Sequence, residues 1–355
     1  MNPWADLPSA VRWPLSFFIP FLAALVLTPV AGRVARRLGV LDSPGDASHK
    51  THTDATPYLG GLALGAAVLL VAAGLVAVGA ITTDANAELF YVIAGAAVLA
   101  LVGLIDDVRG VSPLVRLAYE ALAAVALWQV GIGAGVFGTA WADLAVTILW
   151  VVAVTNAVNF IDNMDGLAAG VTAMSALGIF AISAANGDLL VSSLALALAG
   201  ASLGFLRYNF PPATIFLGDA GSMMLGFLLA ALILKVDLPV GPAAPRILAT
   251  VLLAAVPLFD LSVVVVARTL DRRPMWRGAR DHTSHRLVEL GISRRGVATS
   301  FLAAQALCAA VAFPLYHLSE TAALVGLAAL TLVWIGLLAW FVRLPTQDRA
   351  GGVLA

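Results

Sequence analysis

The sequence predicts an all-α integral membrane protein, a polytopic bundle of about eleven transmembrane helices. Three observations lead to this fold class: the 355-residue chain is 61% hydrophobic, it is only 12% charged, and its apolar residues form long continuous runs. A soluble domain carries about 25% charged residues, so this chain has too few charges to coat a water-soluble core. Continuous runs indicate membrane-spanning helices, because the strands of a barrel alternate with period two.

Eleven apolar runs are long enough to cross a bilayer, which takes about 20 residues. Two of them, 144–161 and 189–206, are short, so ten spans is the alternative count. The runs cover residues 15–32, 59–80, 89–105, 117–136, 144–161, 167–185, 189–206, 215–236, 245–267, 298–317 and 322–342.

The same composition excludes several classes of protein. Low charge and high apolar content rule out a soluble enzyme and a disordered chain. The single cysteine, Cys308, rules out a disulfide scaffold. A formal net charge of −1 argues against nucleic acid as a partner. The lipid bilayer is a predicted partner, because the apolar runs are expected to cross it.

The basic residues predict the orientation, because cytoplasmic loops of membrane proteins are enriched in lysine and arginine. If loop 33–58 is cytoplasmic, only three of the 20 basic residues lie on the other side: Arg12, Lys235 and Arg246. We therefore expect the N-terminus outside and the C-terminus in the cytoplasm. No repeat or linker divides the chain, so residues 1–355 are predicted to form a single transmembrane domain. Its cytoplasmic loops lie near 33–58, 106–116, 162–166, 207–214 and 268–297.

Six aspartates are expected at similar depth near the cytoplasmic ends of the spans: Asp106, Asp107, Asp162, Asp165, Asp219 and Asp260. Ionisable groups in spans are costly and usually face a partner or an aqueous cavity. Carboxylates at a membrane edge can hold Mg²⁺, which takes one or two of them and completes its shell with water and phosphate oxygens. We predict Mg²⁺, with Mn²⁺ as the alternative ion. Some of these acids could instead pair with Arg109, Arg116 or Arg207.

Histidines and basic side chains point to a phosphate ligand on the same side. His49, His52, His282 and His285 fall in the two long cytoplasmic loops, together with Lys50 and the arginines of 268–297. Zinc is the alternative ligand of such histidines, but a catalytic zinc needs three protein ligands and no cysteine is near. Phosphate contacts from the histidines and Arg286 are the favoured interpretation.

Together the motifs resemble the polyprenyl-phosphate N-acetylhexosamine-1-phosphate transferases. The resemblance runs from about residue 40 to 290, with five motifs in the same order. These are Leu41-Asp42-Ser43-Pro44 through His49-Lys50-Thr51-His52 to Gly60-Gly61, Gly103-Leu104-Ile105-Asp106-Asp107, Asn156 through Leu167, Phe216-Leu217-Gly218-Asp219-Ala220-Gly221-Ser222, and the loop with His282 and His285.

The resemblance implies a role for each matching residue. Asp219 matches the aspartate that holds Mg²⁺ against the diphosphate, Asp106 the residue that deprotonates the lipid phosphate, and Asp107 its positioning neighbour. The remaining matches are implied to contact the metal and the uridine (Asn159, Asp162, Asp165) or the diphosphate and sugar phosphate (Lys50, His52, His282, His285, Arg286).

The function implied by the resemblance is transfer of a sugar-1-phosphate from a UDP-N-acetylhexosamine to undecaprenyl or another polyprenyl phosphate, with release of UMP. It also suggests a prokaryotic inner membrane, an active site facing the cytoplasm, and a homodimer. The alternative within the family is phospho-N-acetylmuramoyl-pentapeptide transferase. That branch typically has a run of histidines in the last long loop, whereas here Thr283-Ser284 separates His282 from His285. This departure favours UDP-N-acetylglucosamine as the donor.

Two further departures concern Asn163, where the family usually has glycine, and Arg116, where it commonly has lysine. Two other protein classes share some of these features. A transporter would place its charged sites near the membrane midplane, often in repeated halves. An intramembrane prenyltransferase also uses aspartates and Mg²⁺, but Gly110 stands where it would need a third aspartate, and it leaves the histidine loop unexplained.

Overall fold

The structure, a computed structural model, describes residues 3–42, 55–77, 83–236, 243–275, 280–315 and 318–344. Almost all regular structure in these ranges is helical, which confirms the predicted fold class. The helices are α1 (Pro3–Asp6), α2 (Ser9–Leu38), α3 (Gly60–Ala77), α4 (Thr83–Arg109), α5 (Pro113–Gln129), α6 (Ala140–Ile161), α7 (Leu167–Ala185), α8 (Leu189–Asn209), α9 (Gly218–Lys235), α10 (Ala243–Leu253), α11 (Ala255–Leu270), α12 (Thr283–Glu289), α13 (Arg294–Leu315) and α14 (Glu320–Arg343). Two short strands, β1 (Leu41–Asp42) and β2 (Thr56–Pro57), pair antiparallel.

Nine of the described helices are long and apolar enough to cross a membrane, and the bent pair α10–α11 makes a tenth. These ten account for every predicted run except 117–136. That run falls on α5, which has 17 residues and is about 25 Å long. Arg116, in the first turn of α5, contacts Asp219 at the start of α9. The loop after α5 lies at the other end of α9, where it lines a cavity together with Lys235. Helix α5 therefore traverses the bundle, although it is shorter than the predicted run.

The long helices alternate in direction, so the bundle has two ends. One end, called the aspartate end, is where α4 and α6 finish and α9 begins. The three basic residues predicted for the opposite side lie at the other, far end. There Lys235 pairs with Glu88 at 2.7 Å, an Arg246 Nη atom donates to the Gly135 carbonyl, and an Arg12 Nη atom donates to the carbonyl of Trp4. The side of the membrane that each end faces stays a prediction.

Helix α9 lies at the centre of the bundle because glycines let its neighbours approach closely. A Cβ added at Gly61 of α3 would lie 2.2 Å from the Cα of Gly221, and one at Gly103 of α4 would lie 2.3 Å from the carbonyl oxygen of Asp219. Small residues at such contacts let membrane helices pack backbone against backbone. The first turn of α9, which carries Asp219, is thereby held against two other helices.

The break between α10 and α11 is stabilised by one glutamine from α13. The two helices meet at 78° around Ala254. The fully buried Gln305 donates to the carbonyls of Leu252 and Leu253, both at 3.1 Å, and accepts from the Val256 amide at 3.0 Å. Backbone groups freed by a break inside a membrane need such partners, because no water is there to replace them.

Replacing Gln305 with leucine is therefore expected to destabilise the protein by at least about 2 kcal/mol, since buried backbone groups lose their partners. The measurement is the midpoint of thermal unfolding in detergent. Ser300→Ala is the control, because the Ser300 hydroxyl is exposed on the same helix and, among the described residues, bonds only to the carbonyl of Gly296. Equal midpoints for the two variants would show that the break does not depend on Gln305.

Candidate active site

A polar cavity of about 550 Å³ opens at the aspartate end. Five of the six predicted aspartates line it: Asp106, Asp107, Asp162, Asp165 and Asp219. The sixth, Asp260, does not line this cavity. That residue is fully buried in α11 and bonds to His282 instead.

Asp107 holds the first turn of α9 in place. Its two carboxylate oxygens accept from the backbone amides of Asp219 at 2.9 Å and Ala220 at 3.2 Å. Negative charge is favoured at a helix N-terminus, where amides lack partners within the helix. Gly218 is required here, because its φ is +74° and a Cβ would lie 2.7 Å from an oxygen of Asp107. Asp107 thus positions the backbone of Asp219.

Arg116 bridges two of the aspartates. One Nη atom lies 2.6 Å from Asp106 Oδ2 and 3.4 Å from Asp219 Oδ2. The other oxygen of Asp106 accepts from the amide of Val111 at 2.6 Å. Pairing with arginine, the alternative role of these acids, therefore applies to Asp106 and Asp219.

Asn159 and Asp162 bring the end of α6 to the same place. The amide of Asn159 donates to Asp219 Oδ1 at 2.7 Å and to the hydroxyl of Ser222 at 2.9 Å. Asp162 follows α6 directly. Burial raises the pKa of its carboxyl well above the usual range, and the charges of neighbouring aspartates raise it further. A cation or a positively charged ligand group would offset this repulsion.

The oxygen donors around Asp219 fit magnesium bound together with a phosphate ligand. In the described ranges, no three His, Cys, Asp or Glu side chains are arranged to hold a metal by themselves. Mg²⁺ rarely needs such a group, because it takes one or two carboxylates and fills its shell with water and phosphate oxygens. Asp219 and Asp162, with the amide oxygen of Asn159, supply hard ligands of this kind.

The two histidines lie in different surroundings. His285 lines the polar cavity with Arg280 and Arg294. Burial, and then the neighbouring His282, lowers the pKa of His285 to about 4, so its ring is neutral at pH 7. His282 does not line this cavity and lies in the groove described next.

An apolar groove of about 790 Å³ lies beside the polar cavity, between α5, α6 and α11. Its walls are mainly aliphatic, and its polar end is formed by Arg116, Asn159 and His282. Asp162 and Asn163 line both spaces. A polar ligand in the cavity and an amphiphile in the groove would therefore meet beside Asp162.

Two other predicted residues have structural contacts. Asp165 lines the cavity but also accepts from the amide of Ala213 at 2.9 Å, which fixes the loop after α8. Arg286 is almost fully buried and donates to three carbonyls, those of Asp281, Phe341 and Leu344. This placement favours a structural role for Arg286 over the predicted phosphate contact.

Lys50 and His52 lie outside the described residues, so their predicted contacts remain untested. The residues that flank their segment are close together: Asp42 pairs with Thr56 in the two-stranded sheet. Asp42 also lines the polar cavity, with Tyr58. Described residues on both sides of positions 43–54 therefore lie beside the cavity.

Several contacts of the site were not predicted from the sequence. Ser284 donates to Asn163 at 2.5 Å and thereby joins the histidine loop to the turn after α6. The buried Glu120 accepts from Asn156, one of the residues that line the groove. Position 120 lies four residues after Arg116, on the same face of α5. That spacing is the one sequence signal that could have linked Glu120 to the site.

Comparison with known proteins gives one family throughout. Residues 89–237 match the family described as "Glycosyl transferase family 4". A protein of Bacillus subtilis (strain 168), named "Probable undecaprenyl-phosphate N-acetylglucosaminyl 1-phosphate transferase", is 31% identical over 294 residues, which are 80% of each chain. The "Decaprenyl-phosphate N-acetylglucosaminephosphotransferase" of Mycobacterium tuberculosis (strain ATCC 25618 / H37Rv) is 33% identical over 296 residues, 74% of this chain and 72% of that protein.

The alternative branch is represented as well. The "Phospho-N-acetylmuramoyl-pentapeptide-transferase" of Shouchella clausii (strain KSM-K16) is 32% identical over 247 residues. That similarity covers 62% of this chain and 74% of the relative, so it extends over less of this chain than the first two.

Proposed function

The chain belongs to glycosyl transferase family 4, and from that premise we propose that it is an N-acetylglucosamine-1-phosphate transferase. The donor is UDP-N-acetylglucosamine, the acceptor is undecaprenyl or another polyprenyl phosphate, and UMP is released. The product is a lipid-linked sugar diphosphate that begins the assembly of a cell-envelope glycan.

One observation carries this proposal: the polar cavity with five aspartates and the apolar groove share Asp162 and Asn163. A sugar nucleotide is charged and suits the polar cavity. A polyprenyl chain is apolar and suits a groove with aliphatic walls that open between membrane-spanning helices. The two substrates would then meet at the shared residues, which is where the new bond must form.

In the reaction, an oxygen of the lipid phosphate attacks the β-phosphorus of the UDP-sugar. The bond between the β-phosphorus and the bridging oxygen breaks, and that oxygen leaves with UMP. We assign Asp106 to accepting the proton of the lipid phosphate, with Arg116 holding its carboxylate. Asp107 acts through α9, whose first turn it fixes. Such a transfer depends mainly on positioning and on stabilising charge.

Asp219, Asp162 and Asn159 would hold Mg²⁺, or Mn²⁺ as the alternative ion. The ion would supply charge neutralisation at the diphosphate. Asp165 and His285, which line the same cavity, are assigned to contacts with the sugar nucleotide, and Lys50 and His52 keep the diphosphate contacts that the family resemblance implies.

We further propose that the aspartate end faces the cytoplasm of a cell whose inner membrane the protein spans. The far-end placement of Arg12, Lys235 and Arg246 supports this orientation, because cytoplasmic ends are the ones enriched in basic residues.

The proposal also includes a single catalytic domain over residues 1–355 and a homodimer. Native mass spectrometry of the detergent-solubilised protein tests the dimer.

The test is UMP release by the purified protein with polyprenyl phosphate and UDP-N-acetylglucosamine, with Mg²⁺ and with excess chelator. We expect release that requires the lipid and falls at least about a hundredfold with chelator, as charge on the diphosphate is no longer neutralised. The control omits the lipid. Release with UDP-N-acetylmuramoyl-pentapeptide instead would select the alternative branch. If no UMP is released with any UDP-sugar, the proposed transferase activity is wrong, and a prenyltransferase or transporter is favoured.

A further inference from the structure

The two histidines at the start of α12 face different spaces although they are only three residues apart. Their ring centroids are 6.0 Å apart and their planes are inclined at 78°. His285 lines the polar cavity, whereas His282 lines the apolar groove. Two rings so divided are in position to contact two different ligands.

Asp260 fixes the orientation of His282. One oxygen of the fully buried carboxylate lies 2.8 Å from His282 Nδ1, and the other accepts from the backbone amide and the hydroxyl of Thr283. A carboxylate beside Nδ1 keeps the proton on that nitrogen. Nε2 is then the ring nitrogen that remains for a ligand. In the part of the chain that the structure describes, the bond to Asp260 is the one hydrogen bond of this ring.

The other cations that line the groove are already engaged. Arg116 binds Asp106 and Asp219. Arg268 binds Asp281 at 3.1 Å and the carbonyl of Met275. An anionic head at the polar end of the groove would therefore lie next to His282, whose Nε2 has no hydrogen bond among the described residues.

We propose that the two histidines are divided between the substrates: His282, oriented by Asp260, binds the phosphate head of the lipid acceptor, and His285 faces the sugar nucleotide. Asp260 is then a positioning residue for the acceptor, although it lies outside the polar cavity. This inference rests on the proposed function for its kinetic test. The assignment of His282 to the lipid differs from the role that the family resemblance implies, in which both histidines contact the donor.

The test compares His282→Gln with His285→Gln, each serving as the matched control for the other. Losing one charge-assisted hydrogen bond to phosphate corresponds to about a tenfold or larger loss of affinity. We expect His282→Gln to raise KM for polyprenyl phosphate by about tenfold or more and to change KM for UDP-N-acetylglucosamine by less than about twofold. His285→Gln is expected to give the reverse pattern.

Asp260→Asn provides a second variant should the His282 substitution prevent folding. Asparagine keeps the volume and an oxygen for Thr283, but it removes the charge beside Nδ1. A positioning role predicts a raised acceptor KM with the donor KM unchanged. A purely structural role predicts a lower thermal midpoint and equal changes in both KM values, and that result would overturn the assignment.

Binding of radiolabelled polyprenyl phosphate in detergent, measured without donor, separates this inference from the proposed function. If the unmodified protein binds the lipid and His282→Gln does not, the inference stands even where no UMP is released. If UMP is released but His282→Gln binds lipid as well as the unmodified protein does, the proposed function stands and the inference is wrong.

Discussion

Replacing Asp219 with asparagine is expected to lower kcat by about a thousandfold while the protein stays folded. The side chain lies where the charged groups of the polar cavity converge, between Arg116 and Asn159. Asparagine has the same shape but no charge, and its NH₂ group would face one of two donors. Losses of about 10²–10³ are typical when one preorganised electrostatic contact is removed from an active site. Folding should survive, because Asp107 holds the Asp219 backbone amide and not its side chain.

The measurement is kcat at saturating concentrations of both substrates, together with the midpoint of thermal unfolding. Asp188→Asn is the matched control. Asp188 is at the far end of the bundle, where its oxygen caps α8 by accepting from Val191, and asparagine caps equally well. We expect this control to keep full activity. Unchanged kcat in Asp219→Asn would remove Asp219 from the catalytic machinery.

Gly218→Ala is expected to lower turnover by at least about a hundredfold, although no chemical group is lost. The new Cβ would lie 2.7 Å from Asp107 Oδ2, so Asp107 cannot keep both of its bonds to α9. A displacement of about 1 Å in a positioned group costs about this much in rate. The left-handed backbone at φ +74° adds about 1–2 kcal/mol of strain.

Gly187→Ala separates strain from displacement. Gly187 also has a left-handed φ of +78°, but nothing lies within 4 Å of its added Cβ, and it sits between α7 and α8 at the far end. Both variants should unfold at lower temperature, and only Gly218→Ala should lose turnover. Equal losses of turnover would mean that backbone strain, and not the position of Asp107, governs the rate.

The end of the bundle was predicted correctly for the aspartates that follow or end a span. Asp106, Asp107 and Asp162 lie at the ends of helices, so counting along each apolar run places them at the cavity. The surroundings of Asp260 could not be predicted, because counting along a run gives a position along the helix but not the direction in which a side chain points. It lies in α11, beyond the 78° bend, and faces the histidine loop.

Partners of the arginines could not be predicted from their spacing. Arg116 reaches Asp219, which is 103 positions away in the chain, and Arg286 reaches the carbonyls of Phe341 and Leu344 at the end of α14. A long guanidinium side chain can satisfy several acceptors within its reach. Which of them it meets is decided by the helix that packs beside it.

The membrane explains why so much of this protein can be read from its sequence. An apolar run must cross the bilayer as a helix, which assigns each flanking residue to one of two ends, and so Asp106, Asp162 and Asp219 were expected together. Whether they share one cavity was decided by tertiary packing. The glycine contacts that bring α3 and α4 against α9, the cap that Asp107 places on α9, and the division of His282 from His285 join residues far apart in the chain. Such contacts depend on how each helix is rotated about its axis, and hydropathy does not specify that rotation.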